Sequence, residues 1–228
     1  MDAITLLMKR QSLRVYGEQT VPQAVKRQVL EATVRAPSAG ALMLYSIMEI
    51  EEQALKDRLS ETCDNQPFIA KAPWVLLFLA DYQRIVDGWA QQGLAPNRKI
   101  GVGDMMLAID DALIAAQNAV VAAEALGLGS CYIGDVMENA ENHRALLSLP
   151  RYVFPAAMLC IGYPKPGHSR DMVARLPVDE VLFVNRYEKR SLSERCLGLS
   201  VRALQKYEMP FSVEMNRSVE DWMREWTQ

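Results

Sequence analysis

The sequence is poor in the residues that bind metals and that staple small secreted folds. It has two histidines, His143 and His168, and four cysteines, Cys63, Cys131, Cys160 and Cys196, scattered with no C-x-x-C pair. Neither set has the spacing of a zinc site, so no metal centre is expected. No G-x-S-x-G elbow is present, and Asp110 and Asp111 have no histidine beside them in sequence. Acid–base and serine-nucleophile chemistry is therefore left without good candidates. Surplus basic charge is missing too: 25 Lys and Arg stand against 28 Asp and Glu, for a net charge of −3. A protein that coats nucleic acid needs the opposite balance, and no nucleic-acid partner is expected. Long uninterrupted hydrophobic runs are absent, since WVLLFLA is short and the apolar stretch from Met105 is broken by Asp110 and Asp111. No membrane partner is expected. The opening MDAITLLMKRQS lacks a long apolar run with a small-residue cleavage site, and with sparse cysteine this points to a cytoplasmic protein.

What remains is an ordinary globular composition, 50% hydrophobic and 23% charged over 228 residues, enough for one domain with a substantial core. Asp2 can cap a first helix through Met8, and Thr20-Val21-Pro22 opens a second that must stop before Pro37. Leu44 to Ile50 reads as a strand, Glu51 to Cys63 as an amphipathic helix, and Pro73 to Ala80 as a strand buried on both faces. The Gly- and Pro-containing stretch Gly88 to Gly103 reads as a mobile excursion. Met105 to Leu126, apolar almost all round and closed by Gly127, predicts a buried helix. A strand at Ser130 to Gly134, a helix near Glu141 to Leu147 and a strand at Ala156 to Gly162 complete an α+β fold, with helices over a central mixed sheet. Near the end Val219, Trp222 and Trp226 recur at helical spacing, a face that must dock either on its own chain or on a partner subunit.

Three segments carry candidate chemistry. In RQSLRVYGEQTVP, Arg10, Ser12 and Arg14 alternate in extended backbone, so they can share one face and hold an anion by charge-assisted bonds; equally, they can be solvated surface groups. APSAG, from Ala36 to Gly40, has no charged side chain, and its small residues allow a flat ligand to reach main-chain groups; a plain helix-to-strand turn is the alternative. In GLGSCYIG the glycines follow a helix and lead into a strand, the reverse of a dinucleotide loop, which excludes a Rossmann reading. Cys131 reads as a small core residue, so a bound cofactor would have to carry any redox chemistry.

Taken in order, RQSLRVY, APSAG before YSIMEI, NQPFIAKAPWVLLFLAD, AIDDALIAAQNAVVAAEALGLGSCYIGD, IGYP and ARLP resemble the nitroreductase family, most closely its oxygen-insensitive NADPH nitroreductase and NADPH–flavin oxidoreductase subgroup. The resemblance spans Met1 to about Tyr187. It implies an FMN-binding fold in a domain-exchanged homodimer with two active sites at the interface. The implied domain is residues 1–190 with the excursion near 88–103, followed by a C-terminal extension, 191–228, packing on the dimer. The implied activity is an FMN-dependent NAD(P)H oxidoreductase that works by ping-pong exchange on a nitroaromatic, quinone or flavin acceptor. No catalytic side chain is implied, because FMN carries the chemistry, with Arg14 stabilising the negative edge of the reduced flavin. The implied cofactor-binding residues are Arg10, Gln11, Ser12 and Arg14, then Pro37, Ser38, Ala39 and Gly40 from the other subunit, Gln66 at the pyrimidine edge, Tyr132, Ile133 and Gly134 near the reactive nitrogen, and Arg175 at the phosphate. Where the subgroup tends to have Lys-Pro-Arg this chain has Val173-Ala174-Arg175, so one phosphate cation is missing; Lys165 or Arg170 could reach in instead, and if neither does, FMN binding should be weaker and more salt-sensitive. The alternatives are a relative specialised for reductive dehalogenation or flavin destruction, both hosted by the same scaffold, and a non-catalytic flavin-binding protein.

Overall fold

The computed structural model describes residues 2–168 and 175–207, the side chains of 202–207 excepted, together with Glu220, Asp221, Met223, Arg224 and Trp226. Helix α1, Ala3–Lys9, starts where Asp2 accepts from Thr5 N at 3.0 Å. After an extended segment, α2 (Gln23–Thr33) follows Pro22 and stops short of Pro37. A single 3₁₀ turn, Ala39–Ala41, leads into β1 (Tyr45–Glu49). Next come α3 (Gln53–Thr62), α4 (Pro67–Ala70) with proline in its first turn, and β2 (Trp74–Asp81). Then follow α5 (Gln83–Gln91), the long α6 (Val102–Ala125) and β3 (Gly129–Ile133). A 3₁₀ turn (Asp135–Met137), α7 (Ala140–Leu147) and β4 (Val153–Gly162) close the body, and α8 (Val178–Val181) and α9 (Glu194–Tyr207) come after it.

The four strands form one sheet in the order β1-β2-β4-β3, every neighbouring pair antiparallel. The expected mixed sheet is corrected accordingly: among the described residues, parallel pairing is confined to the single bridge between Ser12 and Ser130. Antiparallel pairing holds because each strand in this order enters from the opposite end to its neighbour. The two central strands β2 and β4 are buried along their whole length. Their residues alternate between two layers, Leu76, Phe78, Leu159 and Ile161 on one side and Val75, Leu77, Met158 and Cys160 on the other. The first layer packs on α6 through Ala108, Ala112, Ala115 and Ala119, whose small side chains let the helix approach the sheet closely.

Two expectations are revised by packing. The stretch Gly88 to Gly103 is not a free excursion throughout, because α5 takes up 88–91 and α6 begins at Val102, leaving 92–101 as the connecting loop. Helix α6 is not buried all round either: Met106, Leu107, Leu113 and Ile114 are exposed on its outer side. By length and composition α6 is also the one described helix apolar enough to cross a bilayer, although its other face is core. For the C-terminal segment, Trp226 is buried on its own chain, edge-on to Tyr82 at 6.2 Å and Tyr152 at 5.5 Å between ring centroids. Val219 and Trp222 lie outside the described residues.

Candidate cofactor site

The chain leaves α1 at Arg10 in extended backbone and runs as an arm beside β3. Leu13 N donates to Ser130 O at 2.8 Å, and Leu13 itself is buried, so the residues either side of it, Ser12 and Arg14, turn outward. Further along, Gly17 N donates to Tyr163 O and Lys165 N to Val15 O, which ties the arm to the chain just beyond β4. Gly162 makes this possible: a Cβ there would stand 2.8 Å from both Tyr16 Cδ1 and Pro73 Cδ. The arm is thus fixed alongside the sheet by main-chain bonds, with Ser12 and Arg14 left exposed on it.

Arg10, Ser12 and Arg14 gather around Cys131. Burial pushes the Cys131 thiol up, opposed by the charges of Arg14 and Arg10 and by hydrogen bonds from Ser12 and Arg14. Burial also pushes the Tyr132 phenol up to about 12, with Arg10 opposing it. The Arg14 guanidinium lies 5.8 Å from the centroid of Phe68, which gives the cation an apolar platform. Arg10 Nε and Ser130 Oγ are buried with no hydrogen-bond partner among the described residues. Two such atoms beside an exposed guanidinium and hydroxyl mark a polar cradle that its own chain leaves unfilled.

Gln66 stands two positions before Phe68, the platform of Arg14. Its backbone N donates to Ser60 O at 2.9 Å and its carbonyl accepts from Ser60 Oγ at 2.8 Å, after the left-handed turn residues Asp64 and Asn65. Its amide nitrogen donates to Cys63 O at 2.9 Å and to Asp135 Oδ2 at 3.0 Å. Ile133 is buried at the end of β3, whereas Gly134 is exposed and a Cβ there would meet nothing within 4 Å. A flat ligand has room to reach this backbone.

The loop Pro37 to Gly40 is built separately. Asp111, on α6 and 2% exposed, accepts from Ser38 Oγ at 2.7 Å, Ala39 N at 3.1 Å and Leu44 N at 3.0 Å, and Ser38 Oγ accepts from Met43 N at 2.7 Å. Arg84 Nη2 donates to Met43 O. These bonds hold Gly40, Ala41 and Met43 at φ of 56°, 57° and 50°, a conformation that costs about 1 kcal/mol or more at each non-glycine residue. Asp111 and Arg84 anchor the loop, whereas Ser130, Tyr163 and Lys165 anchor the arm, so the two halves of the expected site are fixed by different parts of the chain.

Of the expected phosphate cations, Lys165 is placed beside the arm and Arg175 is exposed, with its carbonyl accepting from Arg195 Nη1 at 2.9 Å. Arg170 and Val173 lie outside the described residues. A cavity of about 460 Å³ opens between Tyr16–Gln19 and Tyr163–Pro166, next to the arm. Phe68, Ser130, Asp111 and Asp135 were not expected at the site. For Asp111 the signal was present in the sequence, as a single carboxylate in step with the alanines that face the core.

Residues 7–163 match the Nitroreductase family, more than half of the chain. The chain belongs to the nitroreductase family. An oxygen-insensitive NADPH nitroreductase of Salmonella typhimurium is 32% identical to this nitroreductase-family chain over 206 residues, covering 90% of it and 81% of that protein. An NADPH-dependent oxidoreductase of Staphylococcus saprophyticus is 28% identical over 192 residues, covering 83% and 76%. Among solved structures, B. megaterium NfrA2 superposes with a TM-score of 0.84 at 25% identity over 98% of both chains. The NADPH:FMN oxidoreductase from Vibrio harveyi complexed with NAD+ shares the fold, with a TM-score of 0.77 at 24% identity over 90% and 85%.

Proposed function

We propose that this nitroreductase-family protein is an FMN-dependent NAD(P)H oxidoreductase acting on nitroaromatic, quinone or flavin acceptors. The observation that carries the reading is the cradle of Arg10, Ser12 and Arg14 with the partnerless Arg10 Nε and Ser130 Oγ beside it. Those groups fit a phosphate and an electron-rich ring edge. FMN held there would supply the hydride relay, serving reduced nicotinamide and acceptor in turn at one site. Arg10, Ser12 and Lys165 hold the phosphate, Arg14 keeps a fixed positive charge at the ring edge, and Phe68 keeps Arg14 in place. Gly134 leaves the backbone at the end of β3 open to a flat ring. No side chain is required as an acid or base, because orientation of donor and acceptor does most of the work.

The second half of the site comes from another copy. The exposed apolar residues of α6, Met106, Leu107, Leu113 and Ile114, with Ile4, Leu7 and Met8 of α1, form the surface for a homodimer, in which each Pro37–Gly40 loop would meet the arm of the other subunit. In that assembly 1–190 form the cofactor-binding domain and 191–228 an extension. The test is the visible absorption spectrum of the purified protein, followed by anaerobic addition of NADPH and then NADH, with initial rates at varied donor and acceptor. A yellow protein bleached by one nucleotide, with parallel double-reciprocal lines, supports the reading; a colourless protein that takes up no added FMN overturns it.

A further inference from the structure

The orientation of one amide carries information about what the site reads. Gln66 Nε2 has two acceptors on the same side, the Cys63 carbonyl at 2.9 Å and the Asp135 carboxylate at 3.0 Å. Turning the amide over would set its oxygen against both of these oxygens with no proton between them, so only one orientation is allowed. Gln66 Oε1 is therefore the atom of the amide left without a hydrogen-bond partner among the described residues. An outward amide is usually ambivalent, able to donate or accept; this one can only accept.

The geometry points to Asp135 as a positioning residue that, together with the Cys63 carbonyl, locks Gln66 as an acceptor, so that this edge of the site selects a ligand presenting an N–H, the imide of a flavin pyrimidine ring. The inference rests on the FMN reading. It adds that Asp135, at the turn after Gly134, acts on the cofactor only through Gln66, as a carboxylate whose hydrogen bond fixes a neighbour rather than touching the ligand. Asp135 is half-buried in a short surface turn, where replacement is tolerated by the fold.

The test compares binding of FMN and of 3-methyl-FMN, which lacks the imide proton, to the flavin-stripped full chain by fluorescence titration. Wild type should bind FMN at least about tenfold more tightly than the methylated analogue, the scale of a lost hydrogen bond plus an unpaired acceptor. Asp135→Leu and Asp135→Ala leave only the Cys63 carbonyl to hold the amide and should narrow that ratio about twofold to threefold, part of the way toward the value given by Gln66→Met. Asp135→Asn keeps an acceptor oxygen at the same reach and should retain the wild-type ratio. A merely structural role would weaken both ligands together and leave the ratio alone. An unchanged ratio in Asp135→Leu and Asp135→Ala overturns the inference while leaving the FMN reading intact. Absence of FMN binding to wild type overturns both.

Discussion

Ser38 donates its hydroxyl proton to Asp111 across 2.7 Å, joining a loop of small residues to a buried carboxylate on the central helix. The same carboxylate takes the N–H groups of Ala39 and Leu44, so three donors depend on two oxygens of one side chain. An asparagine at this position keeps one oxygen and offers an NH₂ in place of the other, which opposes at least one backbone N–H in either orientation. Asp111→Asn should lower stability by about 2–3 kcal/mol, read from urea unfolding. It should also free the strained turn at Gly40 to Met43, which faster amide hydrogen exchange confined to residues 38–44 would report.

Gly162 is the second place where one residue type is imposed by contact. Its missing Cβ would lie within 3 Å of Tyr16 Cδ1 and of the Pro73 ring, and Tyr16 sits in an arm held to the chain beyond β4 by main-chain bonds on both sides of it. Gly162→Ala should cost about 1–3 kcal/mol by overpacking and push the arm outward. Because Arg10, Ser12 and Arg14 ride on that arm, FMN affinity should fall along with the thermal midpoint, although residue 162 touches no ligand. Isothermal titration of FMN into the variant checks this.

The regular elements were legible because each rests on local pattern: Asp2 as a cap, Pro37 as a stop, the unbroken WVLLFLA as a strand buried on two faces. The arm and the glutamine were legible as chemistry for the same reason, since alternation and residue type lie within a few positions of one another. What the sequence hid was long-range. Nothing near Ser38 says that its partner stands 73 positions on, and nothing near Gln66 announces Asp135, 69 positions away. The strand directions were hidden too, because pairing is made between strands far apart in sequence, and the helix α5 was hidden because it carries Gly88 in its interior.

His143 is fully buried, its Nδ1 2.6 Å from Val136 O and its Nε2 2.8 Å from Thr62 Oγ1, bracing the turn that carries Asp135. Burial holds its pKa below the usual histidine value, with the Val136 hydrogen bond opposing. In the unfolded chain it titrates near 6.5. Below that pH the unfolded state binds a proton that the folded state refuses, so stability falls as pH drops from about 6.5 toward the folded value and is unaffected above it. Thermal midpoints measured from pH 8 to 5 should decline on the acid side in wild type, and His143→Gln should show a lower midpoint with a flatter acid limb.

Arg10 and Arg14 differ in how their charge is held, and their variants should separate accordingly. Arg10 has a buried, partnerless Nε, whereas Arg14 is exposed and rests on Phe68. Removing a charge-assisted phosphate contact costs on the order of tenfold in affinity, so Arg10→Gln should weaken FMN binding by at least that much. Arg14→Gln should weaken it less and act on the reduced state instead, shifting the FMN midpoint potential negative because a fixed cation no longer offsets the added charge. Salt discriminates further: between about 0.05 and 0.5 M, screening should loosen FMN from wild type, and the slope should shrink in Arg10→Gln because one of the screened contacts is already gone. Equal potentials for wild type and Arg14→Gln would remove Arg14 from the ring edge and leave it as a second phosphate ligand.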